Sequence, residues 1–308
     1  MSEKLDLKRI LIYLAFAFGL AWVIGLIVYL TGGLENSLEL IPGSKITVAI
    51  VLLAVGYMGA PAVANLLTRL VTREGWQETW LRPKLKQGWP YWVAGWVVPS
   101  VMTILGAVVF FALFPQYFDP SLAVLQDMLA QSPTPVSISP WLIVVLQTLT
   151  GVLISPLVNS LFTFGEEFGW RGYLLQKLLP LGERKAMVLL GVIWGVWHWP
   201  VIAMGHNYGL DYAGAPWLGM LAMVWFTFVI GTFLCWITLR GGSVWPAVIG
   251  HAAINGISAL GAIVVQGEPN PLLGPMPVGL IASVAWTLLA AWIMVKGSAP
   301  KAATVVEA

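Results

Sequence analysis

The chain has 308 residues, 58% of them hydrophobic and only 10% charged, with 17 Trp and a formal net charge of +2. A soluble domain carries about 25% charged residues, so the composition excludes an ordinary soluble protein and implies an all-α, polytopic membrane bundle with no nucleic-acid partner. The lone Cys235 lies in an apolar run, leaves no disulfide framework, and reads as a small packed hydrophobe.

The amino terminus, Met1 to Arg9, is charged and polar, and no small-residue cleavage site follows the first apolar run. That run is expected to be a retained anchor span and not a removed signal peptide. A helix needs about 20 apolar residues to cross a bilayer. Eight stretches qualify, at 10–31, 46–68, 90–114, 141–165, 186–204, 217–239, 244–265 and 277–295. Between them, residues 69–89 form a basic loop whose Trp76, Trp80 and Trp89 suit a membrane interface. Residues 115–140 form a proline-rich loop on the other side, with a short helix expected around Leu122–Ala130. The segment 172–181 is expected to lie along the basic interface, and the tail 297–308 to be disordered and cytoplasmic. No internal repeat is present, so the whole chain, 1–308, reads as one membrane domain with its motif-bearing core at about 141–265.

Alternating eight spans from a cytoplasmic amino terminus puts fifteen of the sixteen Lys and Arg on the inside and leaves only Lys45 outside. Seven or nine spans would scramble that asymmetry, so the positive-inside rule predicts both termini in the cytoplasm. The protein is then a multi-pass integral membrane protein, in the cell membrane if its source is prokaryotic.

Ionisable groups within spans cost roughly 2.5–3.5 kcal/mol each at mid-helix, so those that persist mark function. Glu166, Glu167 and Arg171 close the fourth apolar run. Glu167 and Arg171 stand i,i+4 with the acid first, the favourable order for a helical ion pair. Glu166 points about 100° away, free to face the bundle interior as a general base. His198 lies among Trp residues on the fifth run, beside Trp194 and ahead of Pro200. His251 and Asn255 share one face of the seventh and could donate to a developing oxyanion. Each piece alone also has a plain reading, as interfacial charge, a structural hydrogen bonder or interhelical glue. Three runs each offering one polar face favour function. His206 reads as a surface residue of an external loop.

The order Glu-Glu-x-x-x-Arg, aromatic-x-x-x-His, His-x-x-x-Asn on three successive motif-bearing spans resembles the type II CAAX prenyl endopeptidases and their prokaryotic relatives, the CAAX proteases and bacteriocin-processing enzymes. The matching residues are Glu166, Glu167 and Arg171, then Trp194 and His198, then His251 and Asn255. They cover about residues 160–260. Trp194 departs from the family's usual Phe. The resemblance implies an intramembrane endopeptidase in which Glu166 and His198 activate water while His251 and Asn255 stabilise the oxyanion. Glu167, Arg171 and Trp194 would support them. Some family members have been described as metalloproteases, and Glu166, His198 and His251 are ligand types that permit Zn2+ with an open position. The metal-independent glutamate mechanism is favoured, and it needs no cofactor.

Other protease classes fit worse. No His-Glu-x-x-His run is present, no span holds an Asp, and Ser243 is separated from His251 by eight residues, about 12 Å along a helix. The expected partners are the lipid bilayer and a membrane-anchored peptide or protein. On the expected topology, Glu166 lies at the inner leaflet and His251 about 10 Å deep. His198 would be about 18 Å from Ala186, and the site would open toward the cytoplasm and laterally to lipid. A non-catalytic peptide-binding, immunity or scaffold protein is the alternative. A proton-coupled transporter is weaker, since no inverted repeat is visible.

Overall fold

The structure, a computed structural model, describes residues 5–131 and 138–297. All but the first residue of the expected disordered tail, 297–308, lie outside them. Among the described residues the chain is helical without strands, and only two isolated antiparallel bridges occur, Glu39 with Thr47 and Phe118 with Val265. The all-α expectation holds.

The helices follow the apolar runs. In chain order they are α1 (Leu7–Leu30), α2 (Val48–Val71), α3 (Leu85–Leu113), α4 (Ala123–Ala130), α5 (Pro140–Leu153), α6 (Ser155–Leu181), α7 (Glu183–Trp197), α8 (Trp199–Ala203), α9 (Trp217–Gly241), α10 (Trp245–Ile263) and α11 (Val284–Gly297). Side-chain caps start the first two: Asp6 accepts from the Arg9 amide at 3.1 Å, and Thr47 accepts from the Ile50 amide at 3.2 Å. The short α4 falls where the loop sequence predicts it.

Five helices, α1, α2, α3, α9 and α10, are each long and apolar enough to cross a bilayer, and α5 with α6 makes a sixth candidate bent by 48°. The chain is thus an integral membrane protein. The count of eight is not reached by length alone, because α7 and α11 are short. The last expected run, 277–295, is helical only from Val284. Ahead of it the chain folds back on itself, with the amides of Leu280 and Ile281 donating to the carbonyls of Leu272 and Leu273.

One departure moves the site. The helix of the fourth run does not end at Arg171 but takes in 172–181. Helix α6 continues to Leu181 through a π turn at Trp170–Leu174. The continuation is held inside: Trp170, Tyr173, Leu174 and Leu175 are fully buried, and the Tyr13 ring packs on Trp170 and Tyr173 at centroid distances of 5.8 and 5.1 Å. A π turn adds one residue to a helix and commonly sits at functional positions. Glu166 therefore stands about 15 residues, or about 22 Å, above the end of its helix. That removes the depth mismatch between Glu166 and His198.

Helices α6, α7, α9 and α10 form the centre, with α6 packed on α2 and α10, α7 on α9, and α3 on α10. Close approach depends on glycine. A Cβ added at Gly195 of α7 would stand 2.5 Å from the Val224 Cα on α9, and one at Gly191 would stand 2.7 Å from the Phe228 Cα. Helices in lipid gain little from hydrophobicity against one another, so such contacts and interhelical hydrogen bonds hold them.

Candidate active site

Interhelical bonds fix the frame. The Thr163 hydroxyl of α6 donates to the Val248 carbonyl of α10 at 3.0 Å, and the Asn65 amide of α2 donates to the Phe168 carbonyl at 2.9 Å. The Thr227 hydroxyl of α9 donates to the Gly191 carbonyl of α7 at 3.0 Å. Glu166 and Glu167 are thus carried on a helix gripped from two sides.

Pro200 ends α7, because it has no amide hydrogen to donate. The carbonyls freed near the break find side-chain donors, as apolar surroundings require. The Tyr57 hydroxyl and the Trp22 indole N–H donate to the Trp197 carbonyl at 2.6 and 3.2 Å. The His198 ring Nδ1 lies 2.8 Å from the Trp194 carbonyl. A carbonyl only accepts, so Nδ1 carries the hydrogen and Nε2 is left as a lone-pair acceptor in the neutral ring.

The glutamates divide as their helical spacing predicts, with one addition. Glu167 Oε1 accepts from Arg171 Nη1 at 2.9 Å, and both side chains are completely buried. The same oxygen lies 2.9 Å from His251 Nδ1. Glu167 therefore holds Arg171 within its own helix and orients the His251 imidazole across to α10, turning Nε2 away from itself. Glu166, buried, accepts from the Trp194 indole N–H through Oε2 at 2.8 Å. The sequence pattern gave Trp194 only a supporting role. In the structure its ring also lies under the Arg171 guanidinium at 4.5 Å and edge-on to His251 at 5.3 Å.

Glu166, His198, His251 and Asn255 line one cavity of about 520 Å3. Its walls are mostly apolar, among them Leu53, Met223, Phe226 and Ile230. Tyr57 and Trp197 complete the wall behind His198, and neither carried a sequence signal strong enough to name it. His206 is exposed, as its loop position predicts, but it also lines the cavity, together with Asn207. Ser243 is not a partner for His251: it is buried in the turn before α10, where its hydroxyl donates to the Trp80 carbonyl at 3.4 Å.

The lining of the cavity is graded in exposure. Glu166 and Trp194 lie at the buried end of the cavity, whereas its exposed lining residues are Ile50, His206 and Asn255. These come from the start of α2, the loop after α8 and the far half of α10.

Among the described residues no three His, Cys, Asp or Glu side chains are grouped so as to hold a metal ion. Glu166, His198 and His251 share the cavity, but each of the three already engages a protein partner through one polar atom. Metal ligands commonly make such second contacts; it is their placement that does not group the three into a Zn2+ ligand set.

Residues 138–257 match the family described as Type II CAAX prenyl endopeptidase Rce1-like. A 93-residue stretch, 29% of the chain, is 32% identical to CAAX prenyl protease 2 of the archaeon Methanococcus maripaludis, and it spans about a third of that relative's length, 34%. The family match covers the segment bearing the three motifs, and the resemblance drawn from them is borne out there.

Proposed function

We propose that this chain is an intramembrane endopeptidase of the CAAX-protease type, cutting a membrane-anchored peptide or protein by attack of an activated water. The observation that carries this reading is the convergence of Glu166, His198, His251 and Asn255, from three helices, on one apolar-walled cavity. The match of residues 138–257 to the endopeptidase family supports it.

Each residue has a role that its hydrogen bonds allow. The Trp194 N–H occupies Glu166 Oε2 and leaves the other oxygen to take a proton from water. His198 Nε2, unprotonated while Nδ1 donates to the Trp194 carbonyl, accepts the water's second hydrogen and aims its lone pair at the scissile carbonyl. Attack gives a tetrahedral oxyanion, which the Asn255 amide and His251 Nε2 face. Donation from His251 requires the ring to carry both hydrogens, and Glu167 supplies the counter-charge at Nδ1. The proton held by Glu166 then passes to the departing amine, the C–N bond breaks, and a carboxylic acid and an amine leave. No side chain becomes attached to the substrate.

The test is cleavage of a membrane-anchored reporter peptide by purified wild type, Glu166→Gln and His198→Ala. Loss of either group should lower the rate by about 10²–10⁴-fold while the thermal unfolding profile stays near wild type. A wild type that binds the reporter without cutting it would establish the non-catalytic alternative instead. Activity that survives strong chelation, with no zinc by elemental analysis, is the expected result for the glutamate mechanism.

A further inference from the structure

We infer that Asn65 and Arg69 of α2 are positioning residues for the proposed cleavage. The Asn65 amide, its orientation set by Arg69, holds the Phe168 carbonyl and with it the stretch of α6 that carries Glu166 and Glu167. Their part in catalysis rests on the endopeptidase reading, but the grip on α6 stands on separate observations.

Asn65 and Arg69 stand i,i+4 on one face of α2, and both are buried. Arg69 Nε donates to Asn65 Oδ1 at 2.8 Å. A guanidinium only donates, so this contact takes the amide oxygen and leaves the Asn65 NH2 to donate to the Phe168 carbonyl at 2.9 Å. Arg69 is itself held. Its other two nitrogens donate to the Gly75 and Glu78 carbonyls in the loop after α2, at 2.5 and 3.0 Å. Its guanidinium also lies against the rings of Tyr173 and Trp76, at 5.1 and 5.7 Å. A planar fork bound at all three nitrogens has one orientation, and a lysine ammonium could not reproduce it. The same loop reaches α10, where the Val244 amide and the Trp245 indole N–H donate to the Trp80 and Leu81 carbonyls at 3.0 and 2.7 Å.

The bond falls where α2 and α6 meet backbone to backbone. A Cβ added at Gly165 would stand 2.6 Å from the Met58 carbonyl oxygen, and one at Gly169 would stand 2.4 Å from the Pro61 Cβ. These two glycines bracket Glu166, Glu167 and Phe168. Bare contact sets how close the helices come, and a directional bond sets how α6 is turned about its axis. Phe168 also stands two residues ahead of the π turn at Trp170–Leu174, where the helical ladder changes register. About two turns earlier on α2, the Tyr57 hydroxyl donates to the Trp197 carbonyl beside His198. One helix thus holds the carbonyl next to Glu167 and the carbonyl next to His198. It thereby sets the separation of Glu166 and His198, the groups proposed to share the attacking water. Neither Asn65 nor Arg69 lines the cavity, so both act through α6 and not on the peptide.

The test is a split between kcat and KM in cleavage of the membrane-anchored reporter peptide. Asn65→Asp keeps an acceptor for Arg69 and removes the donor to Phe168. Its kcat should fall by about 10–10²-fold, the scale of a misplacement of about 1 Å, with KM unchanged and the thermal unfolding profile near wild type. If Asn65→Asp does not fold, Arg69→Lys, which keeps the charge and loses the fork, should show the same split. An unchanged kcat overturns the inference. So does a raised KM alone, or a loss of cleavage no larger than the loss of folded protein. Hydrogen exchange of the amides of residues 163–175 gives a reading that needs no cleavage. Exchange there should be faster in Asn65→Asp than in wild type, with α3 the same in both, and equal exchange overturns the inference. A wild type that never cuts the reporter, with that difference in exchange present, would remove the endopeptidase reading and leave the grip of Asn65 on α6 standing.

Discussion

The helices of this bundle fall into an outer group and an inner group, and hydrophobicity does not tell them apart. The most apolar windows of α3 and α9 have nearly equal mean hydropathy, 2.2 and 2.1, yet 28% of the first is buried within the protein and 72% of the second. Lipid and protein interior are equally apolar partners for Leu or Val, so nothing in hydropathy assigns a helix to either. Small residues and hydrogen-bonding side chains at the contacts do. Helix α7 offers Gly191 and Gly195 to α9, which answers with the Thr227 hydroxyl. The groups proposed for catalysis lie on this inner set, where one polar partner can be fixed against another.

The contrast can be attacked at its strongest point first. Replacing Arg171 by Met takes the guanidinium from the buried Glu167 carboxylate and leaves it only the His251 ring. The expected cost is about 3–5 kcal/mol, read as an earlier thermal unfolding midpoint in detergent. A midpoint equal to wild type would mean that the inner pair contributes nothing to the fold. Next, Gly195→Ala crowds the α7–α9 contact and should cost about 1–3 kcal/mol. The same measurement should give a change within about 0.5 kcal/mol for Leu26→Val on lipid-facing α1, since Leu26 is exposed. Equal effects at the two positions would erase the distinction between inner and outer helices.

A milder test lies outside the spans, at Glu74. Burial alone would raise its carboxyl, but the Lys177 ammonium, the Tyr173 hydroxyl and the Arg69 guanidinium outweigh that and hold it below the usual carboxylate range. A lowered folded-state value gives stability that is present above the ordinary carboxylate range and lost as pH falls through the lowered value. Wild type should therefore lose stability more steeply than Glu74→Gln on acidification below about pH 4.3, the ordinary Glu value. Parallel curves would dismiss the cluster as a clamp.

Much of this was legible in the sequence, and the misses have physical reasons. The motif residues declared themselves by their cost in apolar runs, and helical spacing alone split Glu167 from Glu166. The end of α6 was misread because a charged cluster resembles a membrane edge. Glu167 and Arg171 balance each other, so the helix can carry them inside and continue through Tyr173 to Leu181. The bond from Glu167 to His251 and the one from Trp194 to Glu166 join residues 84 and 28 positions apart. Periodicity describes the faces of one helix, and such pairings depend on how helices are rotated against each other. The lining of the cavity is of the same kind, since it draws on α2, the loop after α8 and α10 at once.

Trp194 makes the inner end of the cavity hard to vary piecemeal. One side chain donates to Glu166 and stacks beneath Arg171, its edge meets His251, and its backbone fixes the tautomer of His198. Any substitution there removes the three side-chain contacts together and leaves only the backbone carbonyl to His198, so gradual change at that residue is closed to selection and to the engineer alike. At the rim the link is looser, the Ser258 hydroxyl donating only to the Asn255 backbone carbonyl at 3.2 Å. Peptide preference in this scaffold is best retuned there, at the doorway, with the chemistry behind it left untouched.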